Sequence, residues 1–173
     1  MVAWALLIIR VVAGLTLAAH GAQKAFGWFG GPGFVRMEQG FEKQGFRPAR
    51  LWVALVILGE LGGGLSLAFG FLTPLGAAGA VGAMAMAARS HVKNGFFNGK
   101  GGFELPLALL GMSVAIGIAG PGAYSLDALL NIHLPQMQLF GVLAIAALLV
   151  DVVGVLIIRA ATASATANRP HPA

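Results

Sequence analysis

Residues 51–72 read LWVALVILGELGGGLSLAFGFL, a run of hydrocarbon interrupted by one charge, Glu60. About 20 apolar residues in a helix cross the hydrocarbon core of a bilayer. An ionised side chain at that depth costs roughly 3 kcal/mol on insertion scales, so such a residue faces a bundle interior, pairs, or lines a pathway. Gly59 and Gly63, with Gly62 and Gly64 beside them, leave one helix face almost bare backbone. Small residues of this kind let helices approach closely where lipid offers no hydrophobic drive for association. The stretch therefore reads as a spanning helix whose glycines pack against neighbours and bring Glu60 close to them.

The whole chain has the same character. Of its 173 residues, 58% are hydrophobic and 10% charged, and its mean hydropathy is +0.84, whereas about a quarter of the residues of a soluble domain are charged. The expected fold class is an all-α transmembrane bundle. Five apolar segments stand out, near 2–26, 51–72, 74–89, 105–118 and 137–158, forming one membrane domain over 1–159 with a disordered Ala/Thr/Ser-rich tail over 160–173. The first segment lacks a basic n-region and a cleavage site, and is expected to be a retained span. Thr73-Pro74 predicts a tight turn that makes spans two and three antiparallel neighbours. Residues 35–44 predict a short amphipathic interfacial helix, with Trp28 and Trp52 as headgroup anchors.

Arg36, Lys43, Arg47 and Arg50 fall between spans one and two, Arg89, Lys93 and Lys100 between three and four, and Arg159 and Arg169 after span five. Five spans put all of these on one side, and the positive-inside rule places that side in the cytoplasm and the N-terminus outside. Topology thus accounts for the net charge of +5, and without a basic helix interleaved with aromatics nucleic acid is not an expected partner. The chain contains no cysteine, which excludes disulfides, thiolate nucleophiles, iron–sulfur ligation and covalent haem attachment in this polypeptide.

Arg10 is a second charge deep within an apolar run. His20 and Lys24, four apart on one helical face, lie with Gln23 toward the cytoplasmic end of span one, where His91 closes span three and Glu104 opens span four. A bundle that gathers His20, Lys24, Glu60, His91 and Glu104 into one polar cavity suits proton-coupled chemistry: His changes charge near neutral pH and a buried carboxylate can hold a proton. A quinone headgroup, with two carbonyls needing donors and then protons, is the ligand this set fits. The expected catalytic residues are His20, Glu60, His91 and Glu104, with His20, Gln23, Lys24 and Glu60 contacting the cofactor. No span carries two ligands at i, i+4, so a metal site is not expected. The structural alternative is that Lys24, Lys93 and Lys100 snorkel to the headgroups, His91 is interfacial, and Arg10 pairs with Glu60. On the outer side Asp127 is in range of Arg10 as a structural ion pair, and Asp151 in span five has no evident basic partner.

Taken in order, Arg10, Gly14, His20-Gly21-x-Gln23-Lys24, Glu60-x-x-Gly63-Gly64, Gly70, His91, Gly95-Phe96-Phe97, Glu104-Leu105-Pro106 and Gly120-Pro121-Gly122-x-Tyr124-Ser125-Leu126-Asp127 resemble the DoxX family of small bacterial membrane proteins over about residues 5–130. The resemblance implies a four-helix membrane core, to which the fifth span is an addition. It also implies a place in quinone-linked redox chemistry, since the family takes its name from a subunit of a thiosulfate:quinone oxidoreductase. Other members look like membrane partners of soluble redox and detoxification enzymes in oxidative-stress defence. The rival expectation is a non-catalytic scaffold that docks cytoplasmic redox enzymes through loops 28–50 and 89–103. A small-solute or proton carrier is disfavoured because no inverted repeat is evident. Assembly as a homo-oligomer is left open.

Overall fold

The computed structural model describes residues 2–167. Its helices are α1 (Val2–Phe26), the short α2 (Gly33–Lys43), α3 (Ala49–Phe69), α4 (Thr73–His91), α5 (Glu104–Ala119), the single turn α6 (Leu126–Leu129) and α7 (Gln136–Ala167). The described residues contain no strand, and the protein is an all-α transmembrane helical bundle. Helices α1, α3 and the Gln136–Ala163 part of α7 are long and apolar enough to cross a membrane. Helix α4, at about 28 Å, is built largely of Gly and Ala and is buried along most of its length. It occupies the middle of the bundle, against α3, α5 and α7, where small residues serve close contact better than greasy ones. Helix α7 turns Val142, Ile145, Leu149, Val152 and Leu156 outward, a surface that only lipid makes favourable.

Glycine contacts fix the helix directions. Gly64 of α3 packs on Gly14 and Ala18 of α1, and Gly21 packs on Leu61, so α1 and α3 run antiparallel. Gly59 meets Gly79 and Ala83 while Gly63 meets Gly76 and Ala80, which makes α3 and α4 antiparallel as the Thr73-Pro74 turn predicts. Gly82 faces Ala147, and Gly154 faces Trp52 and Met86, so α4 and α7 are parallel. Gly45 touches Ile158 and Ala161. The connection between α1 and α3 therefore sits at the same end of the bundle as the last turns of α7. The end carrying Arg36, Lys43, Arg47 and Arg50 is the basic end below, and the end carrying 70–72 and 120–135 is the opposite end.

Two expectations change. The disordered tail was expected from residue 160, but α7 continues through Ala167, in keeping with the helix preference of its alanines; residues 168–173 of that tail, with Arg169, lie outside the described residues. Trp52 is not a headgroup anchor: it is 7% exposed, tilted against Phe46 and pressed on Gly154, because α7 covers this side of α3. Trp28 is the exposed one.

A Cβ on Gly64 would lie 2.5 Å from the Ala18 nitrogen and 2.6 Å from the Gly14 oxygen, while at Gly111 it would meet nothing within 4 Å. Gly64→Ala is expected to lower the thermal unfolding midpoint of the detergent-solubilised protein sharply, whereas Gly111→Ala leaves it unchanged or raises it, as helix propensity favours Ala over Gly by about 1 kcal/mol. Equal midpoints for the two variants would show that close α1–α3 contact does not hold the bundle.

Candidate functional site: an ion pair on a π turn

Midway along α3 the helix widens into a π turn over Leu58–Gly62. One-turn π segments inside α-helices are rare and concentrate at functional sites. Glycines at 59, 62, 63 and 64 weaken the local preference for the tighter α-helix, and Gly21 of α1 receives the widened turn. A Cβ on Gly21 would collide with the backbone of Leu61.

The carboxylate at the centre of this turn faces α1. Glu60, with a side chain 2% exposed, accepts a hydrogen bond from Lys24 Nζ at Oε2 in a direct ion pair, and Lys24 is 23% exposed. The pair therefore runs from the interior toward the surface. His20, one turn before Lys24, lies within electrostatic reach of the Glu60 carboxyl. His20 and Gln23 also line a depression of about 410 Å³ on the outer surface of α1, with Leu15 and Phe29. Gln23 has no strong internal bond; its contact to the Phe29 carbonyl is 3.5 Å long. The structure thus pairs Glu60 with Lys24 and not with Arg10, sets His20 within electrostatic reach of that carboxyl, and places Gln23 beside His20 in the depression.

His91 and Glu104 are elsewhere. Ala83 of α4 is level with Gly59, and His91 is eight residues further, about 12 Å along the axis. There the His91 Nδ1 sits 2.9 Å from the Gly101 carbonyl, which also accepts from Asn94 Nδ2 at 2.9 Å. Glu104 accepts from the Asn98 amide at 3.0 Å. Both side chains are exposed and organise the connection between α4 and α5. Among the described residues no hydrogen bond or ion pair joins them to Glu60, and the five residues do not share one cavity.

At the opposite end, Arg10 is 2% exposed. It donates from Nη1 to the Pro121 carbonyl at 2.6 Å and from Nη2 to the Tyr124 carbonyl. Asp127 accepts from the Leu72 amide at 2.8 Å, from the Thr73 amide at 3.1 Å and from Thr73 Oγ1 at 2.9 Å. It caps the start of α4 from another segment of the chain, in place of the side-chain cap that Leu72 does not provide, and an anion is favoured at that helix end. Among the described residues, the ion pairs within 4.0 Å are Lys24–Glu60 and Glu42–Arg47. The expected Arg10–Asp127 contact pair is replaced by two backbone clamps whose charges interact through space.

Sequence reasoning missed the π turn, and it left Asp151 unplaced. Asp151 Oδ2 and Trp52 Nε1 are both buried without a hydrogen-bond partner. Both residues line a groove of about 510 Å³ between α3, α4 and α7. The signal for it was a carboxylate in an otherwise apolar helix.

Residues 5–92 match the model of the DoxX family. The chain is also 38% identical over 107 residues to the inner membrane protein YqjF of Escherichia coli (strain K12), an alignment that covers 61% of this chain and 80% of that protein. No solved structure matches the chain.

Lys24→Met leaves Glu60 buried without its cation, a change that costs roughly 3 kcal/mol when such a pair is broken on one side only. Lys24→Met combined with Glu60→Leu should recover most of that loss, read as thermal midpoints in one detergent. A double variant less stable than Lys24→Met would mean that the carboxylate is held by something other than Lys24.

Proposed function

The chain belongs to the DoxX family, and from that premise we propose that it is a quinone-linked membrane subunit of an oxidoreductase, of the thiosulfate:quinone or oxidative-stress kind, with the Lys24–Glu60 pair as its proton-handling element. The observation that carries this reading is a buried carboxylate on a π turn, bonded to a cation that reaches the surface. A bound quinone would supply the two-electron chemistry. The donor set suits its carbonyls: Gln23 and His20 line a surface depression with Phe29, and Lys24, next to Gln23 and one helical turn from His20, contacts Glu60. In this reading His20 and Gln23 orient the headgroup, and a proton passes between Lys24 Nζ and Glu60 Oε2 along their hydrogen bond, with Lys24 linking that carboxyl to the interface. His91 and Glu104 keep the α4–α5 connection in shape and take no direct part. In this reading electrons come from a soluble redox partner at the basic end.

A second reading, a scaffold for cytoplasmic redox enzymes, is favoured by the exposed connection 92–103, which presents Phe96 and Phe97 together with Lys93 and Lys100.

The ratio of quinol to quinone extracted from membranes tests the reading without knowledge of the electron donor. In cells lacking the chromosomal copy, the wild-type chain and His91→Ala should shift this ratio, and Glu60→Gln and Lys24→Met should not. A folded Glu60→Gln that behaves as wild type, together with loss of the effect on Lys93→Glu/Lys100→Glu, would replace this reading with the scaffold.

The basic end is assigned to the cytoplasm and the N-terminus to the outside. Because the chain has no native cysteine, single cysteines report on this directly: in intact cells an impermeant maleimide should label Ala123→Cys and leave Asn98→Cys unlabelled. The reverse pattern would invert the topology.

A further inference from the structure

The groove between α3 and α7, floored by Gly76, Gly79 and Gly82 of α4, is separate from the depression at His20. Leu58, Leu75 and Val150 on its walls are exposed, so it opens sideways to lipid. It runs from Trp52 near the basic end to Phe71 and Leu72 at the other, nearly the length of a span. Its volume of about 510 Å³ is in the range of small-ligand sites.

Unpaired polar atoms in the groove lie at one end; at the other, Ser66 already donates to the Phe71 carbonyl. Trp52, 7% exposed, carries an indole N–H without a partner, and Asp151 carries a carboxyl oxygen without one. They are close in the fold, since Trp52 rests on Gly154 and Asp151 is one helical turn before it. A buried polar atom left unpaired costs about 1–3 kcal/mol, and natural structures with such an atom call for an explanation.

The two atoms make complementary demands. The indole N–H can only donate and so needs an acceptor, while a carboxylate oxygen needs a donor. A hydroxyl meets both at once. A phosphate or a fatty-acid carboxylate offers acceptors only and leaves Asp151 without a donor; an ammonium offers donors only and leaves the indole N–H without an acceptor. A partner helix brings a backbone whose hydrogen bonds are already closed within itself. We propose that the α3–α4–α7 groove binds an uncharged single-chain amphiphile by its hydroxyl end, with the hydroxyl bonded to Trp52 Nε1 and Asp151 and the apolar tail laid along the glycine floor toward Leu72. A lipid quinol and a long-chain alcohol or glyceride share this chemistry.

The test uses the full chain in phosphatidylcholine nanodiscs and four probes bearing a diazirine in the tail: hexadecanol, a decyl hydroquinone, palmitate and hexadecane. Crosslinked peptides are read by mass spectrometry. At least one hydroxylated probe should label the groove segments of α3, α4 and α7 about tenfold more than palmitate or hexadecane, the scale set by a lost hydrogen bond. Trp52→Phe and Asp151→Leu should each remove that preference. Val150→Trp, which fills the groove, should abolish labelling, and Val153→Trp on the outward face should not. Preference for the hydroquinone assigns the source to a lipid quinol; preference for hexadecanol assigns it to an alcohol or glyceride. Equal labelling by hexadecane, or hydroxyl preference retained in both Trp52→Phe and Asp151→Leu, overturns the proposal. The result is independent of the Lys24–Glu60 reading, because none of these variants touches that pair.

Discussion

One stripe of α1 governs the bundle. Arg10, Gly14, Leu17, Gly21 and Lys24 recur at helical spacing and so share a face, with charge at both ends and, between them, two glycines flanking Leu17. The glycines allow α1 to lie against α3 at backbone distance, where Gly14 meets Gly64 and Gly21 meets Leu61. With so little side chain between them, neither helix can rotate or slide without a backbone collision. The charged ends use that fixed register: Lys24 arrives at Glu60, and Arg10 at the carbonyls of Pro121 and Tyr124. In hydrocarbon a charge without such a partner is expensive. The polar contacts therefore penalise every register but one, and the glycines make that one reachable.

The far end repeats this logic with backbone groups as partners. Gly70 ends α3 in the left-handed conformation at φ 63°, with the Phe71 amide bonded to the Ser66 carbonyl and the Gly70 amide to the Leu67 carbonyl, the pattern of a Schellman stop. A side chain on Gly70 would also run into the Arg10 guanidinium, so the residue that turns the chain also makes room for the charge. Arg10 fixes the 120–125 segment, Ser125 caps α6 through the Ala128 amide, and Asp127 caps α4. The 70–73 turn and the 120–127 segment are thus tied to α1 at one point without a direct contact between the two charges.

Much of this was legible in the sequence because lipid makes hydropathy and charge unusually informative. The observed helices fall within a few residues of the five apolar segments, apart from the longer α7, and the amphipathic stretch near 35–44 is α2 (Gly33–Lys43). Partner choice was less legible. Arg10 and Asp127 are close enough to suggest each other, but nearby turns contain amides and carbonyls that also need partners, and these took both side chains. His91 and Glu104 looked convergent because each sits at the correct helix end; the axial rise that carries them past Glu60 appears only when α3 and α4 are in register. Trp52 read as an anchor because nothing in its own segment announces that α7 covers it. Glu60 lay within a visible glycine cluster, but the π turn that presents it depends on Gly21, forty residues away in the chain and invisible to any local pattern.

That π turn gives the middle of the bundle two different faces. Glu60 looks toward α1 and its lysine, while Gly59, Gly62 and Gly63, on the same widened segment, border the groove on the other side. A regular α-helix at this point would present its residues at other angles, because each residue turns the helix by about 100°. Restoring α geometry would swing Glu60 relative to Lys24 and would also change how Gly59 seats on Gly79. The close seats at Gly21 and Gly59 leave little free volume for such a change, and packed interiors do not deform gradually. The irregular turn is therefore held from both sides, by α1 through Gly21 and by α4 through Gly79 and Ala83, which is how a helix so rich in glycine keeps a buried carboxylate in one place.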